Sequence, residues 1–488
     1  MFAALAAAYY VLAWRLFARG FVSLDLLALA EKALLATRGA PPRLVNLGFA
    51  SPPIPLALML PFPNPIVTQA IVSAAIIAAL VVFVARSEAD RFVRGLGVLY
   101  LIGSPVFVYL ATRDYASLLL GALLAAATYG ALRFLEDRYS LPLFLAGTIL
   151  GSAFFIEYRC LLLLPVFAGG VALSALRRSR SEALGLMLAI SLPSLFFALS
   201  WMYINWIFLG DPLLFVRVQE KVFASRAPLV VDPLTIGRGL LIALPYVAGL
   251  GCAAAGEKRW SLSRLCVYLV PLWFAAIELV TRGARPEFGL LAPLILTSLM
   301  AARSLRDAVP MRLALLAGFA ASFLGTPAAP PGVANIGDFR ALANVLAGHP
   351  GGPVLLDDGI FYPVVAFSSD TRRFILPYQA RFRAAIEAPG SFARYVVVAP
   401  NDPNDQVAAA HPSVARGVLK GFELLDSVGP YRVFRAREAG PYHSPETPQR
   451  WTFRESWEAV RLPVTVVLAI LVLAVASYAW RRLAVRPL

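Results

Sequence analysis

Three carboxylates stand at the margins of apolar runs, where a charge is expensive. Asp25 closes the stretch Phe21-Val-Ser-Leu-Asp25, Asp114 closes Ala111-Thr-Arg-Asp114, and Glu157 opens Glu157-Tyr-Arg159. Ionisable groups kept at such edges default to functional roles. A carboxylate there can take a proton from an acceptor hydroxyl or amine. Arg113 and Arg159 adjoin two of these acids, and a guanidinium fork can hold a phosphate through two parallel hydrogen bonds. Arg282, Arg285 and Glu287 precede a later apolar run, where they can meet a lipid-linked phosphate or a headgroup. Lys221 belongs to a charged stretch with Arg217, Glu220 and Arg226. Each feature also has a plainer reading. Asp25 and Asp114 can cap the helices that follow them, Glu157 can pair locally with Arg159, and residues 217–226 can form a solvated interfacial helix.

Other chemistries are disfavoured by what is scarce. The three histidines, His349, His411 and His443, all fall in the polar C-terminal part, so neither a Ser-His-Asp arrangement nor a zinc-type site is expected. Cys160, Cys252 and Cys266 make no CxxC pair, which argues against a metal site or a disulfide framework. Scattered acids can hold a divalent ion, but no tight oxygen-ligand spacing demands one, and no cofactor is expected.

The elements that must carry these residues are apolar. Of 488 residues, 59% are hydrophobic and 15% charged, against about a quarter charged in a soluble domain. Mean hydropathy is +0.71. Lipid is the solvent that accepts such a surface. Spans of roughly 20 residues fit near 2–20, 66–85, 95–111, 115–132, 141–156, 160–176, 183–203, 238–256, 265–281, 286–302, 312–327 and 462–480. The first begins apolar at Phe2 without a basic leader or an A-x-A site, so a retained helix is expected. The net charge of +15 comes largely from arginines in short clusters between these runs. That pattern reads as topology control, not nucleic-acid binding. With the N-terminus in the cytoplasm, basic density in the inner segments is roughly three times that of the outer ones, as the positive-inside rule requires.

The expected fold is therefore a polytopic α-helical membrane protein of about twelve transmembrane helices with a small extracytoplasmic α/β domain. Residues 1–327 form the transmembrane module, with long outer loops at 21–65 and 204–237. Residues 328–461 form the α/β domain, and 462–488 a final helix and cytoplasmic tail. In the α/β domain the sequence predicts a helix from Asp338 to Leu346 and strands at 353–357, 373–376 and 394–399, then a terminal hairpin from 421–426 and 431–435. No GxGxxG follows the first strand, so no dinucleotide site is expected.

The ordered set of features over residues 1–325 resembles the GT-C superfamily of membrane glycosyltransferases, the group that includes the dolichyl-phosphate-mannose protein mannosyltransferases and the aminoarabinose transferases. The resemblance rests on an acidic outer loop with a juxtamembrane helix from Asp25, Pro52-Pro53-Ile54-Pro55 before the second span, Asp114 opening the fourth, and the Glu157-Tyr-Arg159 turn. Asn205-Trp206 with Gly210-Asp211-Pro212, and Arg285-Pro-Glu287-Phe-Gly-Leu-Leu-Ala-Pro293, complete it. It implies an inverting transfer from a polyprenyl-phosphate-linked sugar donor to a glycan, lipid or protein acceptor, with Asp25 as base, Asp114 supporting it, and the donor phosphate near Arg159 and Arg285. The sequence departs from the pattern in one place: Asp25 is followed by Leu26, not a second acid, and the next acid is Glu31. Two rival readings remain, a transporter or flippase for a lipid-linked substrate and a non-catalytic scaffold. Transporters of this size often carry repeated halves and mid-membrane charges, and neither is evident in the sequence.

Overall fold

The computed structural model describes residues 1–39, 52–87, 89–176, 178–216, 233–256, 261–281, 287–301, 308–324, 333–377, 379, 381–438 and 442. Lys221, Arg282, Arg285 and the expected final span at 462–480 lie outside them. The chain divides into two compact units, residues 1–31 with 49–341 and residues 32–48 with 342–488.

The first unit is mostly helical. Its elements are α1 (Phe2–Ala18), β1 (Phe21–Ser23), α2 (Leu24–Arg38, which continues into the second unit), α3 (Pro53–Met59), α4 (Pro65–Ala85), α5 (Arg91–Gly103), α6 (Pro105–Arg113), α7 (Tyr115–Asp137), α8 (Ser140–Phe154), a 3-10 turn (Tyr158–Leu163), α9 (Leu164–Ala172), α10 (Arg180–Leu209), α11 (Pro233–Ile242), α12 (Leu244–Gly256), α13 (Leu262–Tyr268), α14 (Val270–Val280), α15 (Glu287–Ala301), α16 (Ala308–Ser322) and β2 (Val333–Asn335).

Among the described residues, three helices, α4, α7 and α10, are long and apolar enough to cross a membrane, and the number rises to five if the bent pairs α5–α6 and α13–α14 each count as one span. Shorter apolar helices include α1, α8, α15 and α16. The expected run at 95–111 bends by 42° between α5 and α6, and the one at 265–281 by 46° between α13 and α14. Both breaks have a proline cause. Pro105 and Pro271 stand at the start of the second helix of each pair, where a missing N–H and fixed φ are tolerated but the preceding helix cannot continue unbroken.

On α10 only 28% of the spanning window is buried. Leu184, Leu188, Leu192, Leu195, Leu199 and Trp206 stand exposed along it at helical spacing. Water would not tolerate such a stripe, whereas lipid does. The opposite side of α10 packs closely on α8. A Cβ added at Gly147 would collide with the Ile190 carbonyl oxygen, and one at Gly151 would meet the Phe197 ring. Small residues four apart thus let two backbones approach. The Ser194 hydroxyl donates to the Gly147 carbonyl across the same seam, at 2.7 Å.

A short antiparallel ribbon joins distant parts of this unit: Phe21 pairs with Asn335 and Ser23 with Val333. Arg340 donates to the Phe17 carbonyl at 2.9 Å, and its guanidinium lies 4.5 Å from the Phe17 ring centre.

The second unit contains a five-stranded mixed sheet. Its elements are α17 (Gly337–Gly348, which begins in the first unit), β3 (Val354–Leu355), α18 (Asp358–Phe367), β4 (Phe374–Ile375), α19 (Phe382–Glu387), α20 (Pro389–Phe392), β5 (Tyr395–Val398), α21 (Gln406–Ala410), β6 (Phe422–Val428) and β7 (Tyr431–Ala436). Strand order is β4-β3-β5-β7-β6. β3 runs parallel to β4 and β5, while β7 runs antiparallel to β5 and β6. All four residues of β5 are buried, as expected of a strand covered on both faces. Leu355, Ile375, Val396, Val398 and Phe434 join one core.

Candidate functional site

Of the charged residues that stand out in the sequence, Asp25, Arg113, Asp114, Glu157 and Arg159 lie at helix ends or turns of the first unit. Asp25 lies in the first turn of α2 and is exposed. That location complements the positive end of the helix dipole. Asp114 is the N-cap of α7, its Oδ1 accepting the Ser117 backbone N–H at 2.9 Å. Arg113 ends α6 immediately before it.

Tyr109 stands one turn before Arg113 on α6, within electrostatic reach of Asp114, Arg113 and Asp25. The Arg113 guanidinium lies 5.3 Å from the Tyr109 ring centre, an attractive placement for a cation over an aromatic face. Its Nη1 is buried with no hydrogen-bond partner among the described residues. Tyr109 in turn packs edge-on against Phe288, with ring centres 5.3 Å apart. Arg238 of α11 lies 5.5 Å from the centre of the Phe288 ring. Phe288 follows Glu287, the first residue of α15. Glu31, the acid next after Asp25, is fully buried on α2.

A second group forms where α8 ends. Glu157 is buried and caps the 3-10 turn by accepting the Arg159 backbone N–H at 3.4 Å. The Arg159 guanidinium reaches both carboxylate oxygens of Glu278 on α14 at 3.4 Å. Glu278 is 1% exposed. Tyr158, between Glu157 and Arg159, accepts the Trp201 indole N–H at 3.0 Å and packs on Phe215.

Backbone and side-chain bonds hold the two groups at the same end of the helices. The Tyr115 hydroxyl, next to Asp114, donates to the Pro55 carbonyl at 2.5 Å. The neighbouring Ile54 N–H donates to the Phe155 carbonyl at 3.2 Å, just before Glu157. The Pro52–Pro55 segment therefore spans from one turn to the other. Gln69 of α4 completes this end: its amide nitrogen donates to the Leu110 carbonyl at 2.8 Å, and its oxygen accepts the Tyr115 N–H at 3.1 Å.

Chemically, this end offers an exposed carboxylate, a guanidinium with a donor unpartnered among the described residues, a phenol against that guanidinium, and a separate Arg–Glu pair. Among the described residues, no three His, Cys, Asp or Glu side chains approach one another closely enough to hold a metal ion. Tyr109, Phe288, Arg238, Gln69 and Glu278 do not stand out as candidates in the sequence. Glu278 and Gln69 carry a signal, since each is a lone polar residue inside an apolar run. Tyr109 and Phe288 carry none, because an aromatic residue in an apolar run looks the same facing lipid or a site. No protein-family model, curated protein or solved structure matches this chain.

Proposed function

We propose that this chain is a multi-pass membrane glycosyltransferase of the GT-C type, which moves a sugar from a polyprenyl-phosphate donor to an extracytoplasmic glycan, lipid or protein acceptor. It crosses the membrane about twelve times, with both termini cytoplasmic and the α/β domain outside. The observation that carries this reading is Arg113, stacked on Tyr109 with an Nη1 that has no hydrogen-bond partner among the described residues, directly before Asp114 at the start of α7 in an apolar helix assembly.

The chemistry asks for a base, an anion holder and a lipid-accessible setting. Asp25 takes the proton of the acceptor hydroxyl or amine as its lone pair attacks the sugar's anomeric carbon from the face opposite the phosphate. The bond from that carbon to the phosphate oxygen breaks, and the polyprenyl phosphate leaves with the electron pair. Arg113 receives this phosphate, since its Nη1 has no acceptor among the described residues, and Arg238 adds positive charge alongside Phe288. Fixed cations aimed at developing negative charge lower the barrier. Arg159, whose guanidinium is engaged by Glu278, serves the scaffold instead of the phosphate. Asp114 holds the start of α7 and orients the turn that carries Arg113. Arg285, Glu287 and Lys221 are assigned to substrate binding on the sequence alone.

The test is turnover of a polyprenyl-phosphate-linked sugar by the full chain in proteoliposomes, followed by mass spectrometry of the lipid products. Asp25→Asn is expected to lower turnover by about 10²-fold or more. Undiminished turnover in that variant would overturn the assignment of Asp25. Passage of the intact lipid-linked sugar across the bilayer, with no new product, would replace the transferase by a flippase.

A further inference from the structure

The α/β unit carries a cleft of about 280 Å³ lined by Gly351, Gly352, Pro353, Asp370, Arg372, Arg373 and Arg381. Gly351-Gly352-Pro353 leads into β3, and Arg372-Arg373 leads into β4. These strands are parallel neighbours, so the cleft lies at their N-terminal ends. Both glycines have left-handed backbone, φ +95° and +86°, which only glycine adopts without strain. A Cβ at Gly352 would also collide with the Arg394 side chain.

Three arginines and one acid line this cleft, so positive charge is in excess, and neutral oxygens hold it in place. Arg373 donates to the Leu346 and His349 carbonyls at 2.9 and 3.0 Å, and it lies 5.6 Å from the Tyr395 ring centre. Arg381 is steadied by the Gln379 side chain at 3.0 Å. Among the described residues, neither Arg372 nor Arg373 forms an ion pair. Burial pushes the Arg373 pKa below the usual guanidinium value, a cost that an anion beside it would offset. Asp370 is exposed, and its carboxylate accepts the Arg372 backbone N–H at 3.1 Å. With about four lone-pair positions, a carboxylate so engaged retains capacity to accept hydrogen bonds from hydroxyls. The C-terminal ends of β3 and β5, where open α/β sheets usually bind ligands, are occupied differently. Asp357 accepts the Gly359 and Gln406 N–H groups, and Asp405 accepts those of Ala399, Val407 and Ala408.

We propose that the cleft is a binding site for an anionic monosaccharide, a single sugar ring bearing a phosphate or a carboxylate. The arginines hold the anion, in the fork geometry suited to either group, and Asp370 accepts from ring hydroxyls. The volume lies just under the ~300–1,000 Å³ of pockets that enclose drug-sized ligands, which fits one ring and excludes a long glycan from full enclosure. This site stands on the second unit's own geometry and does not depend on the transferase reading.

Isothermal titration calorimetry of the full chain in detergent, with glucose 6-phosphate, glucuronate, glucose and inorganic phosphate as probes, tests it. Binding of glucose 6-phosphate or glucuronate, with glucose at least about tenfold weaker, is expected. Arg372→Ala, an exposed position at which folding is not at stake, should weaken that binding by roughly tenfold, and Asp370→Asn should weaken it less while sparing inorganic phosphate. Absence of binding by both charged sugars, glucose binding as tightly as they do, or an Arg372→Ala affinity equal to the parent's would each overturn the proposal. Inorganic phosphate binding as tightly as glucose 6-phosphate, with no glucuronate binding, would overturn the sugar and leave a plain anion site.

Discussion

Glu278 in the helical unit and Asp405 in the α/β unit are both buried acids, and they are satisfied by opposite means. Asp405 is fully buried, and its two oxygens accept three backbone N–H groups, those of Ala399, Val407 and Ala408, at 2.7 to 3.0 Å. The carboxylate is consumed in closing a loop and starting α21. Glu278 meets a guanidinium across two elements instead, at a looser 3.4 Å. Glu278 lies inside a helix whose backbone is satisfied internally, as a chain in lipid must be, so it has mainly side chains to answer it, whereas acids at helix starts of the same unit, Asp114 and Glu157, accept backbone N–H groups. In the sheet unit, loops leave backbone donors over, and acids are spent on those. Among the acids of the helical unit, Asp25 is exposed at a helix start, which is why the proposed chemistry is placed there.

That contrast breaks first at Glu278. Glu278→Ala leaves the Arg159 guanidinium, itself 13% exposed, without its acid, and removing one partner of a buried pair costs about 3–5 kcal/mol. Thermal unfolding of the full chain in detergent should show a loss exceeding that from removing the side chain of Asp405 or Lys32. Replacing both partners with leucine should recover most of it. A Glu278→Ala protein as stable as the parent would show that the pair holds nothing.

Asp405 comes next. Asp405→Ala orphans three buried N–H groups and should cost about 1–3 kcal/mol. Burial, together with the neighbouring Asp357 charge and against the three backbone bonds, raises the Asp405 pKa above its ordinary 3.8. A carboxyl with a higher pKa folded than unfolded binds its proton more tightly in the fold. Its contribution to stability is then fully present below 3.8 and is lost as pH rises through the raised value. The destabilisation caused by Asp405→Ala should therefore grow as pH is lowered from neutrality toward about 4. A gap between the two proteins that is constant with pH would contradict the shift.

How far the sequence shows these features differs between the units for the same physical reason. The expected span at 66–85 is α4, Pro65–Ala85, almost residue for residue, because hydropathy alone decides where a lipid-crossing helix lies. β3, β4 and β5 of the α/β unit emerge at their expected positions because strands buried on both faces are apolar runs bounded by turn residues, and the partly exposed β6–β7 hairpin emerges around its Gly429-Pro430 turn. The bends at Ser104 and Leu269 are written in Pro105 and Pro271, but a hydropathy ruler does not register them. The ribbon between 21–23 and 333–335 is invisible in the sequence, since three-residue strands separated by most of the chain have no local signature. At the site, Asp25, Arg113 and Asp114 stand out as charges at apolar edges. Arg113 falls one turn after Tyr109 on α6, so helical spacing places it there, whereas the packing of Tyr109 on Phe288 of α15 is a tertiary fact that no spacing along the chain encodes. The twelve expected spans exceed the three to five helices that, among the described residues, are long and apolar enough to cross a membrane.

The smallest expected effect sharpens the comparison from the α/β side. Lys32, on the part of α2 that belongs to the second unit, pairs with Asp358 at 3.1 Å, with the lysine side chain 30% exposed and the aspartate 11%. The Thr371 hydroxyl donates to the Arg38 carbonyl at 3.0 Å near the end of the same helix. Asp358, like Glu423 beside Arg435 on the β6–β7 hairpin, is an acid of the α/β unit answered by a side chain, and in both pairs solvent reaches the cation. A partly exposed pair of this kind is worth at most about 1 kcal/mol, so Lys32→Ala should lower the unfolding temperature only slightly, and added salt should shrink the difference further. A loss as large as that of Glu278→Ala would mean that the charge pair, and not the apolar contacts of α2, seats this helix on the sheet unit. Glu278, buried and answered by a distant cation, would then no longer stand apart from the partly exposed pairs of the α/β unit.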